Sequence, residues 1–204
     1  LKMVELTDNL CSKNIKIEHI DFGGGLGIQY DQETPIAHDT FVSMLIEVMG
    51  SREQEILIEP GRSIVGNSGL LLTKVEYLKL GADKNFAIVD AAMNDLARPS
   101  LYSAYHAIEN INQSAERQTR KYDVVGPICE TGDFLGKDRD LSVEEGDVLA
   151  IHSVGAYGMT MSSNYNSRAR AIEVLVDNEK AHVIRERETI EELFSKEQIA
   201  PLNH

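Results

Sequence analysis

Two cysteines in 204 residues, Cys11 and Cys129, are too few and too far apart for a disulfide framework, and no Cys-x-x-Cys spacing suggests a zinc site. Basic residues are scarce as well: 20 lysines and arginines against 33 acids leave a net charge of -13. With no Lys/Arg stripe to overcome that repulsion, no nucleic-acid partner is expected. Long apolar runs are missing too. Gly69-Leu70-Leu71-Leu72 is among the longest, far short of the roughly 20 residues a bilayer span needs. The start shows no basic-then-apolar secretion signal, and repeats and low-complexity tracts do not occur. What remains is the expectation of a cytoplasmic, globular enzyme or binding protein, long enough for one large domain or two small ones.

The chain opens at Leu1, without an initiator methionine, inside a helical stripe of Leu1, Val4, Leu6, Leu10 and Cys11. Such a start reads as the cut edge of a longer chain, and processing would look the same. Ile15, Ile17, Ile20 and Phe22 then alternate as a strand that enters Gly23-Gly24-Gly25-Leu26-Gly27. Consecutive glycines let backbone N–H groups approach an anion with no Cβ in the way. This is no dinucleotide fingerprint, because Ile28 stands where the third glycine belongs. A plain strand-end turn is the competing reading.

His38 to Met49 reads as a helix with Phe41, Leu45, Ile46 and Val48 inward, stopped by Gly50. A short strand, Glu55 to Ile58, leads to Glu59-Pro60-Gly61-Arg62. Carboxylate, rigid ring, bare backbone and guanidinium in succession at a strand end suit the floor of a ligand site, or an ordinary turn with a solvent ion pair. Strand, glycine loop, helix, strand and turn make a βαβ unit, with both special loops at the strand tips where α/β proteins bind ligands. Near Ile64 the texture changes. Strand-like runs at Leu70–Leu80, Phe86–Ala91, Tyr122–Pro127, Asp147–Tyr157 and Arg170–Arg187 predict an antiparallel barrel or sandwich, the last run turning at Asp177-Asn178-Glu179. The expected division is therefore 1–63 and 64–204, ending in a helix over 188–199 that buries Ile190, Leu193 and Phe194.

Three further strings in the second half have the look of sites. Arg98, fixed before Pro99 and four residues from Tyr102, suits a carboxylate clamp, or the capping of a nearby carbonyl. Cys129-Glu130-Thr131-Gly132-Asp133 sets a thiol beside ionisable groups, which suits proton transfer, although a lone cysteine is commonly a small buried apolar residue. Tyr157 sits between small residues in Ser153-Val154-Gly155-Ala156-Tyr157-Gly158, as a ligand contact or a core tyrosine.

In this order and at these distances, the strings His19–Gly27, Glu59–Arg62, Asn94–Pro99, Cys129–Asp133 and Gly155–Gly158 resemble the second half of the diaminopimelate decarboxylases. These are pyridoxal-phosphate enzymes of the alanine-racemase-like fold. The resemblance implies an α/β plus all-β chain, the last βα units of a (β/α)₈ barrel followed by a C-terminal β domain. It implies that Gly23, Gly24 and Gly25 hold the cofactor phosphate with the backbone of Gly61 and the Tyr157 hydroxyl, that Arg62 borders the cofactor, and that Glu59 faces the pyridine nitrogen. Arg62, Arg98, Tyr102 and Tyr157 would receive the distal carboxylate of diaminopimelate, and Glu130 its ammonium. Cys129 would supply the proton that replaces carbon dioxide, reaching across a homodimer interface. No metal is implied. The cofactor-binding lysine and a ring-stacking histidine of the family match nothing in this sequence, so the chain alone is expected to be inactive. Decarboxylases of ornithine, arginine or carboxynorspermidine, and a non-catalytic dimerisation relative, are the alternatives.

Overall fold

Strands His19–Asp21 (β1) and Glu55–Leu57 (β2) pair in parallel, Ile20 opposite Ile56, and helix His38–Met49 (α2) carries the chain between them. Helix Lys2–Ser12 (α1) precedes this unit and buries Val4 and Thr7. The structure, a computed structural model, describes residues 2–112 and 117–201. Strand β1 is shorter than its sequence pattern because pairing stops where β2 stops. Helix α2 has the expected bounds, and its end is set by Gly50 at φ 59°, whose N–H caps the Ile46 carbonyl. Its buried anchor is Met49, whereas Ile46, expected inward, is 59% exposed. The two-stranded unit is too narrow to cover that face.

Beyond β2 a 3₁₀ turn at Gly66–Ser68 leads into a six-stranded sheet. Its strands are Leu71–Lys79 (β3), Asn85–Val89 (β4), Ile108–Asn110 (β5), Arg120–Val125 (β6), Phe134–Leu141 (β7) and Val148–Ile151 (β8), in the order β5-β8-β3-β4-β6-β7. The sheet is mixed, not purely antiparallel, because β4 and β6 run parallel. Between them the chain crosses over through helix Arg98–Tyr102 (α3) and β5, so β6 returns in the direction of β4. The edges curl toward each other: Gly136 of β7 leaves the room that the Ile108 side chain of β5 fills. The result is a nearly closed barrel, and a sandwich is not formed.

Alternation makes the core. Val75, Ala87, Val89, Tyr122, Val124, Leu135, Leu149 and Ile151 point inward and are almost fully buried, with Leu96 packed among them. Each Å² of apolar surface that this cluster removes from water favours the closed sheet by ~25 cal/mol. Strands Glu173–Asp177 (β9) and Lys180–Arg185 (β10) form a separate antiparallel hairpin that turns at Asn178, φ 54°. The final helix is only Ile190–Phe194 (α4), opened by a capping box between Thr189 and Glu192. Its expected packing is not made, since Ile190 and Phe194 are 56% and 50% exposed.

Candidate active site

Strand β1 delivers its glycine loop directly against the turn that follows β2. The Gly23 N–H donates to Asp21 Oδ1 at 2.7 Å, and the Gly23 carbonyl accepts from the Glu59 N–H at 2.8 Å. Loop and turn are thus joined through backbone, with Gly23 and Gly25 in the left-handed region at φ +70° and +96°. Gly24 backs onto the turn so closely that a Cβ would stand 2.9 Å from the Glu59 carbonyl. Among the described residues the N–H groups of Gly24 and Gly25 meet no acceptor, which leaves two adjacent donors for an anion. The Gly61 N–H, by contrast, donates to the Glu59 carbonyl at 2.7 Å. Glu59 is exposed and Arg62 half-buried, and among the described residues neither side chain has a charged partner.

Tyr157 reaches this place from the sheet domain. After β8 the chain is held to the 66–69 segment by bonds from Val154 N–H to the Gly69 carbonyl, 3.0 Å, and from Gly155 N–H to the Gly66 carbonyl, 3.1 Å. Both backbones come so near that a Cβ on Gly155 would collide with the Val65 carbonyl. Ser153 and Tyr157 are left-handed at φ 61° and 62°, a conformation costly for residues with a Cβ and common at functional turns. It aims the Tyr157 phenol at Gly61, whose missing side chain leaves room for the hydroxyl. Gly23, Gly24, Gly25, Glu59, Gly61 and Tyr157 therefore form one contiguous group, with Arg62 next in the chain.

A second group gathers around α3. Arg98 begins the helix, with Pro99 in its first turn, where a missing N–H costs nothing. Its Nη1 donates to the Tyr30 hydroxyl at 2.8 Å and lies 3.2 Å from His106 Nε2. Buried Asp133 ties the preceding loop to the cysteine loop: Oδ1 accepts from Met93 N–H and Oδ2 from Ile128 N–H, each at 2.7 Å. Burial pushes the Asp133 carboxyl up, against the pull of those two bonds. Ser100 adds a bond to the Gly132 carbonyl at 2.5 Å. Asn94 and Arg168 fasten the 163–168 segment to the same loop, through Ser163 N–H to the Asn94 carbonyl and Arg168 Nε to Asn94 Oδ1, both 2.9 Å.

This scaffold presents Cys129 and Glu130 at the surface, with Glu130 Oε2 3.5 Å from the Tyr165 hydroxyl. Tyr102 is 64% exposed. Among the described residues no hydrogen bond joins Cys129 or Glu130 to the glycine-loop group. Tyr30 and His106, which anchor Arg98, were not singled out from the sequence. Tyr30 lies in a polar loop and His106 in an irregular stretch, so neither carries a local signal.

Residues 10–155 match the family model of the pyridoxal-dependent decarboxylase C-terminal sheet domain. The chain belongs to the pyridoxal-dependent decarboxylases. It is 53% identical over 201 residues to the diaminopimelate decarboxylase of Pseudomonas aeruginosa, covering 98% of this chain and 48% of that one. The crystal structure of diaminopimelate decarboxylase from Helicobacter pylori complexed with L-lysine superposes with a TM-score of 0.87 at 42% identity, over 96% of this chain and 48% of that one. A lysine/ornithine decarboxylase from Vibrio vulnificus complexed with cadaverine shares the fold alone, with a TM-score of 0.71 at 19% identity over 83% of this chain and 48% of that one. The chain spans about half the length of the curated relatives it matches.

The donor set of this pyridoxal-dependent decarboxylase suits its family's cofactor. The N–H groups of Gly24 and Gly25, without acceptors among the described residues, suit a phosphate, and the space a Cβ on Gly61 would fill admits the Tyr157 hydroxyl beside it. The Glu59 carboxylate, without a charged partner among the described residues, suits a protonated pyridine nitrogen.

Proposed function

We propose that this chain is the C-terminal part of a pyridoxal-phosphate-dependent enzyme that decarboxylates meso-2,6-diaminopimelate to L-lysine. The observation that carries the proposal is the 53% identity to a diaminopimelate decarboxylase across 98% of the chain. The geometry supports it from a second direction.

Bound pyridoxal phosphate supplies an electron sink for the pair left at the α-carbon when carbon dioxide departs. The protein does the rest. Gly24 and Gly25 offer N–H groups, and Tyr157 a hydroxyl, to the phosphate. Glu59 would keep the ring nitrogen protonated, and a protonated nitrogen is worth more as electrons enter the ring, so the effect would act on the transition state. Arg98, Arg62 and Tyr102 receive the distal carboxylate, and Glu130 the distal ammonium. Ornithine and arginine carry no distal carboxylate, so an arginine at 98 favours diaminopimelate over them.

Cys129 Sγ delivers a proton to the α-carbon vacated by the carboxylate. Among the described residues its exposed loop makes no hydrogen bond to the glycine-loop group of its own chain, which supports service to the site of a second copy. A homodimer with shared sites follows from this reading. Both cysteines are free and exposed, in keeping with the reducing cytoplasm, and among the described residues no helix is long and apolar enough to cross a membrane.

A substrate panel on the full-length polypeptide carrying this sequence tests the proposal. Lysine and carbon dioxide should form from diaminopimelate, with ornithine and arginine turned over far more slowly. Preference for either of those two would overturn it.

A further inference from the structure

Arg98 does not stand alone in its loop. Its Nη1 lies between two acceptors on different elements, the Tyr30 hydroxyl at 2.8 Å and His106 Nε2 at 3.2 Å. The Tyr30 ring meets the His106 ring edge-on, centroids 5.3 Å apart at 83°, and the Arg98 guanidinium carbon is 5.1 Å from the Tyr30 centroid. His106 is fully buried, and its Nδ1 is 2.8 Å from the His152 carbonyl just past β8. A carbonyl only accepts, so Nδ1 carries the hydrogen and Nε2 presents a lone pair. That lone pair is what Arg98 needs. Both hydrogens of Nη1 are engaged, and among the described residues nothing accepts from Nε or Nη2. Nε and Nη2 are one edge of the planar guanidinium, the edge that takes a carboxylate bidentately.

We propose that His106 and Tyr30 are positioning residues that hold Arg98 by its Nη1, turning its Nε/Nη2 edge toward the distal carboxylate of the substrate. The inference rests on the reading of Arg98 given above and adds to it a cause. Tyr30 follows the glycine loop in the chain, whereas Arg98 and His106 belong to the sheet domain. The hydrogen bond between Tyr30 and Arg98 therefore ties the anion-binding loop to the carboxylate receptor and sets the separation between them. A substrate is measured by length as well as by charge.

The test uses the full-length enzyme with pyridoxal phosphate, and two inhibitors that differ at one group: L-lysine, which keeps a carboxylate, and cadaverine, which has none. With one hydrogen bond to Arg98 removed, His106→Asn and Tyr30→Phe should each raise the KM for diaminopimelate and the Ki for lysine by about five- to tenfold. The Ki for cadaverine should stay put. His106→Gln, whose side-chain oxygen reaches the Nε2 position, should recover part of the loss. A merely structural role would weaken lysine and cadaverine alike, and that result overturns the inference. If Arg98→Ala changes neither the KM nor the lysine Ki, the reading of Arg98 itself fails. If Arg98→Ala raises both while Tyr30→Phe and His106→Asn raise neither, only the positioning role fails. Should His106→Asn not fold, Tyr30→Phe decides, since Tyr30 is half-buried and phenylalanine keeps the ring.

Discussion

The hydroxyl of Tyr157 occupies the space that a side chain on Gly61 would claim. One residue comes from the turn after β2, the other from the turn after β8, so the contact joins the two sheets at the proposed phosphate site. Gly61→Ala should push the phenol away without touching any core residue. We expect the full-length enzyme to hold pyridoxal phosphate at least about tenfold more weakly, the equivalent of one lost charge-assisted hydrogen bond. Loss of visible cofactor absorbance on dialysis measures this. Retention equal to wild type would remove Tyr157 from the phosphate.

Asp133 lies in the string that drew attention to Cys129, and its two oxygens do structural duty. Each accepts one backbone N–H, from Met93 and from Ile128. Asparagine keeps one acceptor and turns an NH₂ toward the other donor. Asp133→Asn should therefore cost about 1–3 kcal/mol, the price of leaving a buried N–H without a partner. The aspartate's own burial, which disfavours its charge, works the other way and keeps the loss at the lower end. Thermal unfolding of the two proteins gives the comparison.

Burial, with Arg98 and Arg139 nearby, holds His106 below the usual histidine range, against the smaller opposite effect of the His152 carbonyl. The folded ring stays neutral where the unfolded one, with its ordinary value of 6.5, takes up a proton. In that window the unfolded chain binds more protons, so stability rises with pH and is lost as pH falls below about 6.5, until the folded value is passed. His106→Gln removes this titration and leaves that of Asp133 in place. Urea unfolding at several pH values should show a shallower acid loss for the variant than for wild type. Identical slopes would place the proton elsewhere.

The contrast between what local pattern revealed and what it hid has a physical basis. Helix His38–Met49 was legible to the residue, because glycine at 50 is the usual device for ending a helix. The hairpin turn at Asn178 and the inward strands β3, β4, β6 and β8 were legible through alternation. Strand β7 was missed: Lys137-Asp138-Arg139-Asp140 in its middle breaks the apolar pattern, and Asp138 takes a left-handed φ of 54° that shifts the register. The exposed faces of α2 and α4 were misjudged because periodicity reports what a helix offers, not whether a partner is there. Tyr30 and His106 escaped for another reason. Arg98 and Tyr30 are 68 positions apart, and a contact across that distance exists only once both sheets have formed.

Cys129 supplies the remaining test, because its proposed role concerns two chains at once. Suppose a site takes Glu59 from one subunit and Cys129 from the other. Glu59→Gln then damages the site of its own chain, and Cys129→Ala damages the site of its partner. Each variant alone should be slow, the first for want of a ring-nitrogen partner, the second by about 10²–10⁴-fold for want of a proton donor. In a mixed dimer both lesions fall in one site, and the other site is intact. Random exchange of subunits makes half the dimers mixed, so about a quarter of all sites should regain activity. Activity that returns on mixing, in proportion to exchange, is the expected outcome. If Cys129 serves the site of its own chain, every site in the mixture carries one lesion and mixing restores nothing.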